Sequence, residues 1–222
     1  VPVLESLHVW NDLEQRNGFE NMAVDELLWG TCAAPLLRVY QWEGAWLSMG
    51  YFSKLEVLRE QFPSWQGGVV RRPTGGGIVD HRHDWTYSLF VPRGLPLAEM
   101  SAVESYRIFH SAIAKVLQNL GVPSVLCEDD GSRSSDLCFS GAAVNDVLDL
   151  LGNKIAGAGQ RRGRAGFLQQ GSISIKLPNT FAHDLAYQLS DSVEFSTPAI
   201  DSSSLAKLVT SKYACNTWTT KK

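Results

Sequence analysis

Apolar residues recur along this chain with two different periods, and each change of period marks an element. In "ENMAVDELLWGTCA", Met22, Ala23, Leu27 and Trp29 stand among carboxylates at helical spacing. Pro35 follows, so an amphipathic helix is expected over about residues 20 to 33. The period then shortens. "LLRVYQW" and "WLSMGYF" are β-rich runs separated by "EGA", which predicts two strands joined by a tight connection. "GGVVRRP" and "DWTYSLFVP" predict a second such pair, built around a run of three glycines. A long helix is expected from about Leu97 to Leu120, with Val103, Tyr106, Ile108, Ile113, Val116, Leu117 and Leu120 forming its buried stripe and Gly121 ending it.

Beyond the helix, "SVLC" reads as a strand and "EDDGSRSSD" as a polar loop. "DVLDLL" and "KIAGAG" read as strands around Gly152 and Asn153. "FLQQGSISIKL" predicts the last long strand of that region, with Ile173, Ile175 and Leu177 alternating with polar neighbours. From about Thr180 the chain turns mostly helical, and "SSSLAKLV" offers a serine N-cap for a final helix. Helices and strands are mixed, and most strand pairs look hairpin-like. The expected fold class is therefore α+β, with mixed or antiparallel sheets flanked by helices, in one domain over residues 1–222.

Composition narrows the function classes. At 222 residues and 44% hydrophobic content the chain can bury a substantial core. A net charge of −3 gives no bulk attraction to nucleic acid or to an anionic membrane, and neither is expected as a partner. Local clusters must carry any electrostatic recognition, and the clearest is Arg161, Arg162 and Arg164, which fits either a solvated loop or a dock for an acidic protein surface. No run of apolar residues suits a membrane span and no signal-peptide layout opens the chain, so a cytoplasmic protein is expected, and a monomer is the simplest expectation for a domain of this size. The four cysteines, Cys32, Cys127, Cys138 and Cys215, show no C-x-x-C pair, which argues against a metal site or a disulfide framework.

Two stretches carry candidate chemistry. "RRPTGGGIVDH" matches neither a phosphate-binding P-loop nor a dinucleotide fingerprint. Gly75, Gly76 and Gly77 would let a ligand lie against the backbone, with their amides facing a carbonyl or phosphate and with Arg71, Arg72 and His81 at the flanks. A glycine-rich hairpin with solvated arginines fits the same residues. The second stretch is "CFSGAAVNDVLDLLGNKIAGAGQRR". Lys154 sits there among glycine, isoleucine and alanine, which suggests partial burial and hence a role. Were the fold to bring Cys138 beside it, the ammonium would favour a thiolate nucleophile. An ordinary buried thiol is the competing reading for Cys138, and the other three cysteines are read that way too. His83 and Asp84 fit an exposed turn, His8, His110 and His183 show no partner pattern, and the tryptophans read as packing residues.

Together these stretches resemble the biotin/lipoate protein ligase and octanoyltransferase family. The matching pieces are "NMAVDELL", "LRVYQWEGAWLSMGYFSK", "RRPTGGGIVDH…TYSL" and "GNKIAGAGQRRGRAGFLQQGSI", in the family's order over about residues 20 to 175. The resemblance implies a class II synthetase-like biotin/lipoate ligase catalytic domain that holds a medium-chain acyl group, octanoyl or lipoyl, in a tunnel. Carried over, Arg72, Thr74, Gly75, Gly76, Gly77 and His81 would line the acyl or acyl-adenylate site. Lys154 would stand at the reactive end, with Gly157 and Ala158 allowing close approach beside it.

The family divides by mechanism. Its ligases activate a free acid with ATP and Mg through an acyl-adenylate, whereas its octanoyltransferases need no cofactor and pass the acyl chain through an enzyme thioester. "SSDLCF" around Cys138 resembles the cysteine-containing transferases, while Asn145 and Asp146 look more like the ligases. The leading expectation is an octanoyltransferase using Cys138 and Lys154. It would take octanoyl from acyl carrier protein and give it to a lysine of a lipoyl domain, as in a glycine-cleavage carrier protein or a dehydrogenase subunit. An ATP-dependent lipoate–protein ligase using Lys154 is the alternative, and a non-catalytic acyl or carrier-protein binding module is a third. The short tail after Leu177 argues for no separate C-terminal accessory domain, and the absence of a G-R-G-R-type phosphate loop argues against a biotin ligase.

Overall fold

The computed structural model describes residues 2–128 and 142–221. The first strand, β1 (Leu7–Arg16), leads into α1 (Gly18–Thr31), which Asn17 caps by accepting from the amides of Phe19 and Glu20 while Glu20 reaches back to the Asn17 amide. Then follow β2 (Leu36–Trp42), β3 (Trp46–Met49), α2 (Leu55–Gln61), β4 (Gly68–Arg71), β5 (Ile78–Asp80) and β6 (Trp85–Pro92). The middle of the chain holds α3 (Pro96–Glu99), α4 (Ala102–Asn119), β7 (Val125–Leu126), β8 (Val147–Leu148), β9 (Lys154–Gly163) and β10 (Gly166–Ile173). The C-terminal part forms α5 (Phe181–Leu189), β11 (Val193–Phe195), α6 (Ser202–Leu208) with a π-helical turn over Val209–Tyr213, and α7 (Asn216–Thr219).

Among the described residues, eight strands form one sheet in the order β11-β1-β2-β6-β10-β9-β8-β7, and β4-β3-β5 form a second, three-stranded sheet. Alternation along the central strands decides what each face does. Tyr87, Leu89 and Val91 of β6 and Phe167 of β10 join Phe109, Ile113 and Leu117 of α4 and Leu185 of α5 in the largest core cluster. Phe90 and Leu168 point to the opposite face and pack with Val24 and Leu28 of α1. On that second face the polar positions Thr86, Gln170 and Ser172 form the floor of the site, while Ser88, on the same face, donates to Asp25 of α1.

The α+β expectation holds, and several pairings differ from the local reading. β2 and β3 are not a hairpin: the chain turns at Gly44 (φ 77°) and β3 passes to the small sheet, pairing parallel with β4 and antiparallel with β5. β4 and β6 likewise belong to different sheets. β1 and β11 were not expected, and both β1–β2 and β1–β11 are parallel. The helix expected over 97 to 120 is two helices, because Ser101 caps a fresh start by accepting from the Glu104 amide. β10 ends at Ile173, and the α6 cap is Asp201, which accepts from the Ser204 amide, rather than a serine. No helix among the described residues is long and apolar enough to cross a membrane.

Candidate active site

The three-glycine run bridges β4 and β5 and roofs the polar floor. Its carbonyls are held from both sides. Gly50 donates its amide to Gly77 O at 3.1 Å, Ser53 Oγ donates to Gly76 O at 3.2 Å, and Arg72 Nη2 donates to Gly75 O and Gly77 O at 3.2 and 3.0 Å. Gly76 has φ 94°, a conformation that favours glycine. The closest approaches involve two other glycines: a Cβ on Gly50 would lie 1.9 Å from Gly76 O, and one on Gly159 would lie 2.3 Å from Gly75 O. The roof is thus clamped between the β3 end and strand β9.

The paired arginines are buried, not solvated as in a simple glycine hairpin, and they do different work. Arg72 donates to Ser48 O at 3.1 Å and Ser48 Oγ at 2.6 Å, and burial pulls its pKa down to about 10, leaving it charged at neutral pH. Arg71 turns away from the cavity. Its guanidinium donates to Gly50, Tyr51 and Ser53 carbonyls on one side and to Trp218, Thr219 and Lys221 carbonyls on the other. It ties the C-terminal helices to the loop that supports the glycine roof.

His81 closes one end of the cavity, stacked on Trp42 at 3.9 Å between ring centroids. Because Arg72 donates to Ser48 Oγ, the Ser48 hydroxyl is free to donate to His81 Nε2 at 2.5 Å, which puts the histidine proton on Nδ1, 2.8 Å from Asp84 Oδ2. Asp84 is not the exposed turn residue expected. Its side chain is 3% exposed and also accepts from Thr86 Oγ1 at 3.0 Å and Ser172 Oγ at 2.6 Å. A residue three after His81 folds back onto it, whereas His83 stays exposed.

Thr74 anchors the roof to the floor: its Oγ1 donates to Gln170 Oε1 at 2.8 Å, and Gln170 Nε2 donates to Asp25 Oδ2 at 2.7 Å. Asp25 pairs with Arg38 at 2.6 Å, and Arg38 also meets Asp12 at 2.8 Å. Burial alone would lower the Arg38 pKa, but Asp25, Tyr40 and Asp12 more than offset it and the net shift is upward. Gln170 and Asp25 were not singled out as site residues by the sequence. Each lay in a matching stretch, but nothing local says that they meet.

Lys154 starts β9. Contrary to the expected partial burial its side chain is 46% exposed, and its Nζ lies 2.7 Å from Asp146 Oδ2, a carboxylate only 1% exposed. The lysine folds back along its own strand, and a Cβ on Gly157 would lie 2.3 Å from Lys154 Cε. A glycine at 157 thus leaves the space that the lysine stem occupies. Ala158 donates its amide to Tyr106 Oη at 2.8 Å. Cys138 lies outside the described residues. Of the other cysteines, burial and then Asp25 push the Cys32 thiol up to about 11, and none of Cys32, Cys127 and Cys215 lines the cavity. Arg161 and Arg162 are strand residues, not a solvated loop: Arg162 donates to Ala98 O and Met100 O at 2.7 and 2.6 Å, and Arg161 lies over Trp29.

These groups enclose a cavity of about 430 Å³. Gly76 to Asp80 line one side, Arg72, His81 and Trp42 stand at one end, and Lys154 and Gly157 at the other. Gly157, Ser172, Thr86 and Tyr40 are register partners across β9, β10, β6 and β2. Three interstrand steps of roughly 4.8 Å make a floor about 14 Å long, crossing the strands. A second concavity of about 370 Å³, beside Trp65 and Arg82, contains none of the predicted site residues.

The glycine run, Lys154 and the mixed sheet meet around one slot, and residues 17–208 match the model of the lipoyl protein ligase A/B catalytic domain. The chain belongs to that family. It is 36% identical over 175 residues to octanoyltransferase LipM of Lysinibacillus sphaericus (strain C3-41), covering 71% of this chain and 62% of that protein. It is 34% identical over 179 residues to octanoyltransferase LipM of Bacillus subtilis (strain 168), covering 74% and 64%. The matches thus span less than two thirds of the length of these relatives. Among solved structures, Ta0514, a putative lipoate protein ligase from T. acidophilum, superposes with a TM-score of 0.75 at 19% identity, covering 97% of this chain and 98% of that one. A lipoate-protein ligase A bound with ATP superposes with a TM-score of 0.72 at 19% identity, covering 97% and 98%. Those two likenesses concern the fold.

Proposed function

We propose that this chain is an octanoyltransferase of protein lipoylation, taking octanoyl from acyl carrier protein through a thioester on Cys138 and delivering it to a lysine of a lipoyl-domain protein. The observation that carries the reading is the Lys154 ammonium, fixed over Gly157 at one end of the cross-strand slot. The family membership and the similarity to proteins named octanoyltransferase support it. An acyl chain laid along the floor beneath Gly76 and Gly77 would bring its carbonyl to Lys154. Arg72, Thr74, Gly75 and His81 would hold the walls, and Gly157 and Ala158 the reactive end.

In the first half-reaction the Cys138 thiolate attacks the carbonyl carbon of the donor thioester. A carbon–sulfur bond forms, and the electron pair moves to an oxyanion that the Lys154 charge stabilises. Collapse breaks the donor carbon–sulfur bond, and the departing thiolate takes up the proton that Cys138 gave away. In the second half-reaction the neutral amine of the acceptor lysine attacks, a carbon–nitrogen bond forms, the bond to Cys138 breaks, and the amine proton passes to the sulfur. Exchange of one thioester for another is nearly isoenergetic, so no nucleotide is needed.

The test is intact-protein mass spectrometry after mixing the chain with octanoyl-acyl carrier protein in the absence of ATP. A hydroxylamine-sensitive octanoyl adduct that vanishes in Cys138→Ala is the expected result. Absence of the adduct, with modification of a lipoyl domain only when ATP and free lipoate or octanoate are added, would overturn the transferase in favour of a ligase.

A further inference from the structure

Lys154 is the half-exposed tip of a buried polar assembly that reaches back to helix α4. Tyr106 and His110 lie one turn apart on α4, with ring centroids 4.0 Å apart. Neither lines the cavity. The Tyr106 hydroxyl donates to Asp146 Oδ1 at 2.5 Å and accepts from the Ala158 amide at 2.8 Å, so one oxygen joins the carboxylate to strand β9. The other carboxylate oxygen, Oδ2, accepts from the Ala143 amide at 2.8 Å and meets Lys154 at 2.7 Å. Behind it, His110 Nδ1 lies 2.7 Å from the Asn145 carbonyl, which can only accept, so Nδ1 carries the proton. Asn145 has φ 69°, a left-handed conformation disfavoured for most residues with a side chain, and its amide donates to Cys127 O at 2.8 Å. The bend that aims Asp146 is thus held from α4 and from the Cys127 backbone.

We propose that Tyr106, backed by His110, is a positioning residue for acyl transfer: it holds Asp146 so that the carboxylate fixes the Lys154 ammonium at the end of the cavity. The inference rests on the reading of Lys154 as the group facing the reacting carbonyl. A lysine has a flexible four-carbon stem, and a half-exposed one without an anchor spreads over many rotamers. Charge stabilisation of an oxyanion works only when the donor is already in place. A buried, saturated carboxylate is such an anchor. Tyr106 suits the task because burial first, and Asp146 second, keep its hydroxyl protonated, so it remains a donor to the carboxylate.

Tyr106→Phe removes the hydroxyl and keeps the ring on His110. Two readouts separate the parts of the inference. The first is the rate at which Lys154 is reductively methylated, followed by mass spectrometry with exposed Lys176 as internal standard; about fivefold acceleration in Tyr106→Phe is expected from a released ammonium. The second is octanoyl transfer, where kcat is expected to fall about tenfold with KM little changed, and to fall no further when Tyr106→Phe is added to Lys154→Met. Unchanged labelling, or losses that multiply in the double variant, would overturn the positioning role. Faster labelling with full activity in Lys154→Met would instead show that the anchor is real and that the lysine is not part of the reaction. Asp146→Asn, which keeps the shape but not the charge, repeats both readouts should Tyr106→Phe fold poorly.

Discussion

Replacing Gly157 with alanine tests whether the lysine must sit where the fold puts it. The added methyl would lie 2.3 Å from Lys154 Cε and 2.5 Å from Nζ, about 1.1 and 0.9 Å inside ordinary contact at 3.4 Å. Its third near neighbour, Asp146 Oδ1, is 3.0 Å away, and the backbone at 157 is not left-handed. The cheap response is for the exposed lysine to swing out and leave Asp146. Only the lysine end of the pair is open to water, but the buried Asp146 keeps its hydrogen bonds from Tyr106 and Ala143, so losing the lysine costs about 1 kcal/mol, and the lower chain entropy of alanine returns about 0.4–1 kcal/mol. The unfolding midpoint should therefore move by no more than about 4 °C. Activity should suffer far more: misplacing a reacting group by about 1 Å can cost roughly 100-fold in rate. Calorimetry and single-turnover octanoyl transfer measure the two sides, with Gly159→Ala as contrast, because there the methyl would meet a backbone carbonyl at 2.3 Å and stability must fall. Full activity in Gly157→Ala would refute the reasoning, and so would a midpoint lowered as much as in Gly159→Ala.

Arg71→Ala should free the C-terminal helices, because it removes donors to three of their carbonyls; hydrogen exchange over residues 209–221 should speed up at least tenfold, while unchanged protection would show that packing alone holds them. Stability should also fall on acidification through His110. Burial, only partly offset by the Asn145 carbonyl and Asp146, lowers its pKa from 6.5 to about 4. The unfolded chain therefore binds a proton that the folded one refuses between those values, so this contribution is fully present above about pH 6.5 and drains away towards pH 4. It amounts to roughly 3 kcal/mol. Urea unfolding at pH 7 and pH 5 should show the slope, and His110→Gln should flatten it; an unchanged slope in the variant would assign the acid sensitivity elsewhere.

The local elements were legible where capping and periodicity act over a few residues. α1 begins with a capping box, and its apolar spacing marks it without reference to the rest of the chain. β9 and β10 meet across a short turn, and their small and apolar residues declare them as strands. β1 was missed because Asp12 and Glu14 interrupt its alternation; Asp12 is tolerated inside, 3% exposed, only because Arg38 of β2 and Arg16, four residues on in β1 itself, both meet it. The same limit applied to Asp84, which looked like a turn residue until His81, Thr86 and Ser172 were seen to converge on it.

By itself the sequence determined the class of fold and the family, and it marked two stretches that line the candidate site, because the glycine run and the Lys154 strand are contiguous motifs. Tertiary structure alone decided which arginine faces the cavity, which sheet each strand joins, and what holds Lys154. Arg71 and Arg72 are neighbours of identical type, yet one anchors carbonyls 147 to 150 residues away and the other props the glycine roof. Asp146 reads only as the start of a strand and as a ligase-like residue until Tyr106, 40 residues earlier, is brought against it. Side-chain alternation and capping are fixed by neighbours along the chain, whereas a buried charge is fixed by partners that only folding assembles.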